Sequence, residues 1–312
     1  MASAAPREGG VPVEPPQRLL RALAEEGGDS DREWLESLPA LVHGALERWE
    51  LTAERLQAPG GRSSLVVLVR RADGTPAVLK LVPPGVRSLP EQTALERWDG
   101  WGAVRLLAAE PESGALLLER LHGEISLSSL PEAKAQLEAA GTVRRLWVDP
   151  GTDHPFPTVA ERTGRDVRRL RAASGEPWAE SVGPLVDEAL AVHEALTAQA
   201  PEAVLLHGRF RQGKVLSAER APWLAVGPEP VVGERAYDLA RLVRDRLEDL
   251  VATSGGASAT RRRVAKLADS LEVDRDRLRG WTLFRAVESG LRSLTAGRTQ
   301  EGEVLLEFAG WL

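Results

Sequence analysis

The chain has 312 residues, enough for two lobes or domains that each bury a core of their own. Its net charge of −6 argues against nucleic acid or an anionic membrane as a partner. Cysteine is absent and histidine occurs five times, which excludes disulfides within the chain and zinc sites built on sulfur. No apolar run approaches the roughly 18–20 residues that span a bilayer, and the N-terminus lacks a signal-peptide pattern, so we expect a cytoplasmic protein.

The first third of the chain changes from helical to strand-like periodicity. Residues 1–16 are rich in Pro, Gly and Ala and are expected to be disordered, whereas residues 17–54 carry apolar side chains at helical spacing. Residues 55–118 are predicted to form a β-rich lobe. In this lobe a turn at 72–75 joins strands at 65–70 and 76–82, and two further strands follow at 103–107 and 115–118.

Residues 119–122 are a hinge candidate, and residues 123–312 are mostly helical. Helical spacing covers 131–147, 158–173, 178–197, 237–252, 260–271, 274–295 and 301–312. The segment 237–252 carries charges of alternating sign, which predicts exposed ion pairs on one helix; they are Arg241, Arg244, Asp245, Arg246, Glu248 and Asp249. A small β-rich lobe followed by a larger helical lobe predicts an α+β fold.

A lysine lies at the centre of an apolar strand. Lys80 falls within Ala-Val-Leu-Lys-Leu, and a buried ammonium needs a counter-charge. Glu91, in the helix predicted after this strand, is the first candidate partner and Glu96 is the second. The alternative is an edge-strand lysine whose ammonium reaches solvent.

The stretch 205–230, LLHGRFRQGKVLSAERAPWLAVGPEP, places three cations between an apolar run and a hairpin. The run breaks at Gly208, and Arg209, Arg211 and Lys214 follow. Short apolar strands at 214–217 and 223–226, separated by a polar turn, predict the hairpin, which occupies residues 214–228.

This layout resembles the catalytic loop and metal-binding hairpin of the aminoglycoside and hydroxyurea phosphotransferases, a family of antibiotic resistance proteins that includes streptomycin kinases. In that family the loop reads His-Gly-Asp, an Asn follows five residues after the Asp, and an Asp-Pro closes the hairpin. Here those three functional positions hold Arg209, Lys214 and Gly227, so the loop at 207–216 is degenerate. Further similar segments lie at 70–81, 98–107, 116–121, 222–225, 231–250 and 279–281, and residues 144–180 are the least recognisable.

The resemblance implies a protein-kinase-like two-lobed fold and assigns roles to named residues. Lys80, paired with Glu91, would contact nucleotide phosphates, Ser63 and Ser64 would lie on a flexible loop against the ligand, and the hinge at Glu119 would offer its backbone to adenine. On a C-terminal helix, the acceptor pocket would be lined by Glu288, Arg285 and Trp281. His207 and Asp238 would hold the loop.

The substitutions remove the chemistry that phosphoryl transfer requires, namely Mg²⁺ bridging the phosphates and an Asp orienting the acceptor. A guanidinium at Arg209 cannot accept a proton, and the ammonium of Lys214 repels a metal ion. Gly227 supplies no ligand at all. Glu229 restores a carboxylate, but we expect it to point elsewhere. The sequence therefore predicts no metal and no required cofactor, and leaves ATP binding without Mg²⁺ open.

Two interpretations of the loop cations remain open. Arg209, Arg211 and Lys214 can hold a phosphate or carboxylate directly, as an anion site without metal. Alternatively they pair internally with Glu229, Asp238 or Glu234 and lock the loop.

The main functional hypothesis is a pseudokinase that binds a small molecule or a nucleotide without Mg²⁺, in a regulatory, sequestering or scaffold role, with a protein partner left open. One alternative is a kinase-fold enzyme repurposed for other chemistry in secondary metabolism. The other is a residual antibiotic phosphotransferase, transferring phosphate from ATP to an alcohol.

Overall fold

The computed structural model describes residues 13–26, 28–83, 88–172, 175 and 178–312. The chain divides into two compact units, a small one formed by Met1–Gly100 with Val104–Arg120 and a large one formed by Trp101–Ala103 with Leu121–Leu312. Residues 1–12 of the predicted disordered tail lie outside the described residues.

In the part of the chain that the structure describes, the small unit combines an antiparallel sheet with three helices. Its elements are α1 Gln17–Glu26, α2 Asp29–Arg48, β1 Thr52–Leu56, β2 Leu65–Arg70, β3 Pro76–Leu81, α3 Ser88–Trp98, β4 Leu106–Glu110 and β5 Ala115–Glu119. Within the described residues the sheet has five strands in the order β1–β2–β3–β5–β4. The strand β3, which carries Lys80, is therefore the central one.

One core joins the first two helices to this sheet. In β2 the buried residues alternate, with Leu65, Val67 and Val69 inside, because successive side chains of a strand point to opposite faces. They pack in the same cluster as Trp34 and Leu38 of α2. The predicted boundary between helices at 17–54 and a lobe at 55–118 therefore does not separate two packing units, and β1 begins inside the predicted helical segment.

The large unit is predominantly helical. Its elements are β6 His122–Ser126, α4 Glu132–Arg144, α5 Val159–Ala172, α6 Ala179–Ala198, β7 Val204–Leu206, β8 Val215–Ser217, β9 Trp223–Ala225, β10 Val231–Gly233, α7 Arg235–Val243, α8 Leu247–Val251, α9 Gly256–Leu271, α10 Arg275–Thr295 and α11 Thr299–Ala309. The strand β8 pairs with β6 and β9, and β7 pairs with β10. Both small sheets flank the loop after β7.

Two predicted elements are wrong in their bounds. The helix expected over 237–252 is broken into α7 and α8, because Arg246 adopts a left-handed φ of 56° and donates to the carbonyl of Leu130 at 2.5 Å. The strand expected at 103–107 begins only at Leu106, since Gly102 turns the chain at φ 79° and its carbonyl accepts the N–H of Ala225 at 2.9 Å. The short strands β1, β6, β7 and β10 were not predicted.

Candidate functional site

The loop between β7 and β8 begins at a fully buried histidine. His207 is followed by Gly208 at φ 75°, a conformation that favours glycine, and the carbonyl of Glu229 fills the space where a β-carbon would lie. The carbonyl of His207 accepts the N–H of Glu229 at 3.0 Å, so the loop and the segment before β10 are held together. The loop ends in a 3-10 turn, Gln212–Lys214, that leads into β8.

Asp238 in α7 fixes the start of this loop. Its two carboxylate oxygens accept the backbone N–H groups of His207 at 2.9 Å and Gly208 at 2.8 Å. Burial raises the pKa of Asp238 to about 6, although these hydrogen bonds oppose the rise, so the carboxylate predominates at neutral pH. A second buried carboxylate, Asp245, accepts the N–H of Gln212 at 2.6 Å.

Replacing Asp238 by asparagine is expected to lower the free energy of unfolding by about 2 kcal/mol at pH 7.5. The neutral amide has one acceptor oxygen, so one of the two buried N–H groups loses its acceptor and faces the NH₂ group instead. Urea unfolding measures the loss, and Asp249→Asn, on the exposed face of α8, is the control expected to change stability by less than about 0.5 kcal/mol. Equal effects of the two variants would contradict this role for Asp238.

The cation at the expected catalytic position is held by an internal carboxylate. A guanidinium nitrogen of Arg209 lies 2.6 Å from Oε1 of Glu229, and Arg162 of α5 donates to Oε2 of the same carboxylate. Burial raises the pKa of Glu229, but the charges of Arg209, Arg162 and Lys214 together lower it by more than burial raises it. The pKa of Glu229 is therefore well below its ordinary value. The expectation that Glu229 points elsewhere is therefore wrong.

The residues at the other two positions that the resemblance assigns to metal binding contact each other. The Nζ of Lys214 donates a hydrogen bond to the carbonyl of Gly227. Gly227 has φ 60°, and a β-carbon placed there would lie 2.8 Å from that Nζ. The ammonium thus lies beside the position where the resemblance expects the second carboxylate ligand of a metal. Within the described ranges, no group of three or more histidine, aspartate or glutamate side chains is arranged to hold a metal ion.

Among the predicted internal partners, Glu229 is the one that pairs with Arg209. Asp238 instead accepts backbone N–H groups, and Glu234 accepts from Arg277 and from the indole of Trp281. Internal pairing of Arg209 is thus the arrangement that the structure contains.

In the small unit, Lys80 and Glu91 form a buried ion pair. The Nζ of Lys80 lies 2.5 and 2.6 Å from the two oxygens of Glu91, and the side chains are 11% and 5% exposed. Glu96, the second candidate, instead accepts from Gln92. The alternative of a lysine reaching into solvent is therefore wrong.

The remaining residues of the expected nucleotide site lie in the same unit. Ser64 is buried and Ser63 is half-buried in the segment before β2. Glu119 ends β5, and its carboxylate accepts the N–H of Arg105 at 2.7 Å, while its own N–H donates to the Arg105 carbonyl. These two hydrogen bonds between Glu119 and Arg105 hold the segment before β4 at the end of β5.

The residues expected to line an acceptor pocket are buried in α10. Trp281 is 1% exposed, packs edge-on against Tyr237 and donates to Glu234 at 2.6 Å. Arg285 donates to the carbonyls of Tyr237 and Gly208, both at 3.0 Å. Glu288 pairs with Arg292 at 3.0 Å. The indole of Trp281 therefore serves the core, while Arg285 joins α10 to the loop.

The predicted row of exposed ion pairs after residue 240 is wrong in part. Arg241 and Arg244 are half-buried and have no ion pair among the described residues, and only Arg246 pairs with a carboxylate, that of Glu132 at 2.8 Å. The break between α7 and α8 redirects these side chains. Arg162 was missed as well, because α5 falls in the stretch with the weakest resemblance.

A small unit built on an antiparallel sheet with a buried Lys–Glu pair, followed by a helical unit with this loop, defines the kinase-like phosphotransferase fold. The aminoglycoside/hydroxyurea antibiotic resistance kinase family matches residues 48–297. The chain belongs to this family, which confirms the resemblance inferred from the sequence.

Relatives and solved structures agree with this assignment. Streptomycin 6-kinase of Streptomyces glaucescens is 36% identical over 296 residues, covering 91% of this chain and 92% of the relative. Hydroxyurea phosphotransferase of Kitasatospora aureofaciens is 36% identical over 312 residues, covering 96% and 84%. The crystal structure of aminoglycoside phosphotransferase APH(4)-Ia with ADP and hygromycin B matches with a TM-score of 0.57 at 18% identity, covering 86% of this chain and 96% of that one, which confirms the predicted fold.

None of the described helices is long and apolar enough to span a bilayer.

Proposed function

We propose that this chain binds a small molecule, or a nucleotide without Mg²⁺, and does not transfer phosphate. One observation carries the proposal: Arg209, at the position where the resemblance expects the catalytic carboxylate, is ion-paired to Glu229. Such a chain would act by holding its ligand, in a sequestering, regulatory or scaffold role.

The charges of the loop do not suit phosphoryl transfer. In phosphoryl transfer a carboxylate orients the acceptor hydroxyl and Mg²⁺ neutralises the phosphates. A positioned general base is worth about 10²- to 10⁴-fold in rate, and a guanidinium engaged with Glu229 cannot replace it. The ammonium of Lys214 donates a hydrogen bond to the carbonyl of Gly227, and its positive charge would repel a metal ion from the space beside Gly227.

The small unit supports the nucleotide half of the proposal. The Lys80–Glu91 pair is intact, and a lysine held by a glutamate is the arrangement that protein kinases use toward nucleotide phosphates. A lysine contacts phosphate as a point charge and needs no metal to do so.

The names of the relatives favour a second candidate, a residual antibiotic phosphotransferase. Streptomycin 6-kinase and hydroxyurea phosphotransferase match over most of the chain. This candidate requires an acceptor-orienting group and a metal site that differ from those of the family's loop.

Phosphate transfer and nucleotide binding separate the two candidates. With labelled ATP and Mg²⁺, we expect transfer to streptomycin or hydroxyurea to be at least about 10⁴-fold slower than that by the Streptomyces glaucescens relative. We expect ATP to raise the Tm equally in Mg²⁺ and in EDTA. Transfer at the relative's rate would establish the phosphotransferase instead, and a Tm shift that requires Mg²⁺ would contradict nucleotide binding without the metal.

A combined variant tests whether the loop alone is responsible. Arg209→Asp, Lys214→Asn and Gly227→Asp restore the family's three residues, and Glu229→Lys removes the carboxylate that would otherwise face the new aspartate at position 209. We expect this variant to gain Mg²⁺-dependent ATP binding. If the variant folds but gains no Mg²⁺-dependent ATP binding, residues outside these four positions prevent that binding.

A further inference from the structure

Three arginines of the large unit gather between α7 and α10 without a carboxylate partner. Arg241 lies on α7, Arg244 caps its C-terminal end, and Arg285 lies on α10, which packs against α7. These three residues are called the basic cluster below. None of the ion pairs formed by the described residues involves any of them.

Helical spacing explains why the cluster forms. Arg241 and Arg244 are three residues apart and share one side of the last turn of α7. On α10, Arg285 and Glu288 are likewise three residues apart and face the same neighbour. The packing of the two helices thus brings several guanidinium groups together in a region that is partly buried from solvent.

The hydrogen bonds of the cluster are incomplete. Arg285 donates to two backbone carbonyls, and its guanidinium carbon lies 4.2 Å from the ring centre of Tyr237. Arg244 donates to the carbonyl of Arg285 at 3.1 Å. The Nε of Arg241 is buried and has no hydrogen-bond partner among the described residues.

The carboxylates near the cluster have partners elsewhere, but Glu288 also acts on the cluster: its Oε1 is buried without a hydrogen-bond partner among the described residues, and its charge opposes the fall in the pKa of Arg241 and Arg244. Asp238 accepts the loop N–H groups, Glu288 pairs with Arg292 and accepts from Ser289, and Glu229 pairs with Arg209 and Arg162. The single carboxylate of Glu288 does not balance three arginines, so the cluster keeps an excess of positive charge.

Electrostatics agrees with the geometry. Burial, followed by the charges of Arg285 and Arg244, lowers the pKa of Arg241 well below its ordinary value. Burial and the charge of Arg285 likewise lower the pKa of Arg244, to about 10. The charge of Glu288 opposes both shifts without cancelling them, and a buried cation that is only partly compensated is costly unless a further partner is supplied.

We propose that the basic cluster binds an oxyanion, the carboxylate or phosphate group of a small ligand, with Arg241 as its principal donor. The proposal deepens the proposed function and rests on it in one respect, that the ligand is held and is not phosphorylated. Arg241 and Arg244 are half-buried and keep part of their surface exposed, although the Nε of Arg241 is itself buried. A guanidinium presents parallel N–H groups that match the oxygens of both anions.

Calorimetric titration with inorganic phosphate and with acetate tests the proposal, in EDTA and at constant ionic strength set with NaCl. We expect saturable binding of at least one probe to the wild type, and the probe that binds assigns the chemical class. Arg241→Met is expected to weaken that binding about 10- to 100-fold, because a charge-assisted pair is lost. Arg262→Met, which removes the same charge from the exposed face of α9, is the matched control and should change nothing.

A second measurement guards against a merely structural role. Without anion, Arg241→Met is expected to have a Tm equal to or above that of the wild type, because it removes an unpaired, repelled charge. Arg241→Lys keeps the charge but loses the paired N–H geometry and should bind with intermediate affinity. No saturable binding of either probe, equal affinities of the Arg241→Met and Arg262→Met variants, or a lower Tm of anion-free Arg241→Met would each overturn the proposal. Because no step depends on phosphate transfer, the transfer assay reports separately on the proposed function.

Discussion

Replacing Glu229 by glutamine is expected to lower the free energy of unfolding by about 2–3 kcal/mol. The substitution leaves Arg209 and Arg162 facing each other without the carboxylate that both contact. Breaking a buried ion pair from one side typically costs 3–5 kcal/mol, and the Glu229 side chain is 27% exposed, which reduces the penalty. Urea unfolding at pH 7.5 measures the loss.

The pH dependence of this effect follows from the lowered pKa of Glu229. A carboxylate with a depressed pKa in the folded state contributes its stability above its ordinary pKa of 4.5 and loses it as the pH falls below that value. The deficit of Glu229→Gln should thus be constant from pH 8 to about 5 and shrink at lower pH.

Two further variants support the assignment of this effect. Glu219→Gln, at an exposed turn, is the matched control and should be neutral. Adding Arg209→Gln to Glu229→Gln should recover part of the loss, because the surplus cation is removed. A deficit below about 0.5 kcal/mol would mean that solvent screens these pairs, as it does for surface salt bridges.

Replacing Glu91 by glutamine is expected to lower the free energy of unfolding by about 3–5 kcal/mol. The ammonium of Lys80 lies on the central strand and would lose both of its carboxylate contacts while staying buried. Thermal and urea unfolding measure the effect. A loss comparable to that of an exposed substitution would show that Lys80 finds solvent or another partner.

The double variant Lys80→Met with Glu91→Leu separates stability from function. Apolar residues in place of a buried ion pair are often neutral or stabilising, so the double variant should be as stable as the wild type. If Lys80 holds nucleotide phosphates, this variant should nevertheless lose the ATP-dependent rise in Tm. A retained rise would place nucleotide binding elsewhere.

The sequence predicts most of the fold because its signals are local. The alternation in β2 and the turn before β3 define a hairpin, and the observed bounds of β2, Leu65–Arg70, are those predicted. An apolar strand with one lysine, followed by an acidic helix, also indicates the Lys80–Glu91 pair, although only the structure distinguishes Glu91 from Glu96.

Contacts between distant segments were not predictable in the same way. Arg162 reaches Glu229 across 67 positions of sequence, and no periodicity relates α5 to the segment before β10. The sequence also did not predict that Arg241 and Arg244 lack an ion pair, because charges of alternating sign at helical spacing are typical of an exposed, ion-paired helix. Which carboxylates are already engaged by backbone N–H groups becomes clear only in three dimensions.

The contact between Lys214 and Gly227 has a consequence for how this chain can change over generations. An aspartate appearing first at position 227 would meet the ammonium and form an ion pair with it, so no metal ligand would be gained. An aspartate appearing first at position 209 would meet Glu229 as a like charge. Either aspartate, introduced alone, would thus meet a charged side chain already in place, that of Lys214 at position 227 or that of Glu229 at position 209.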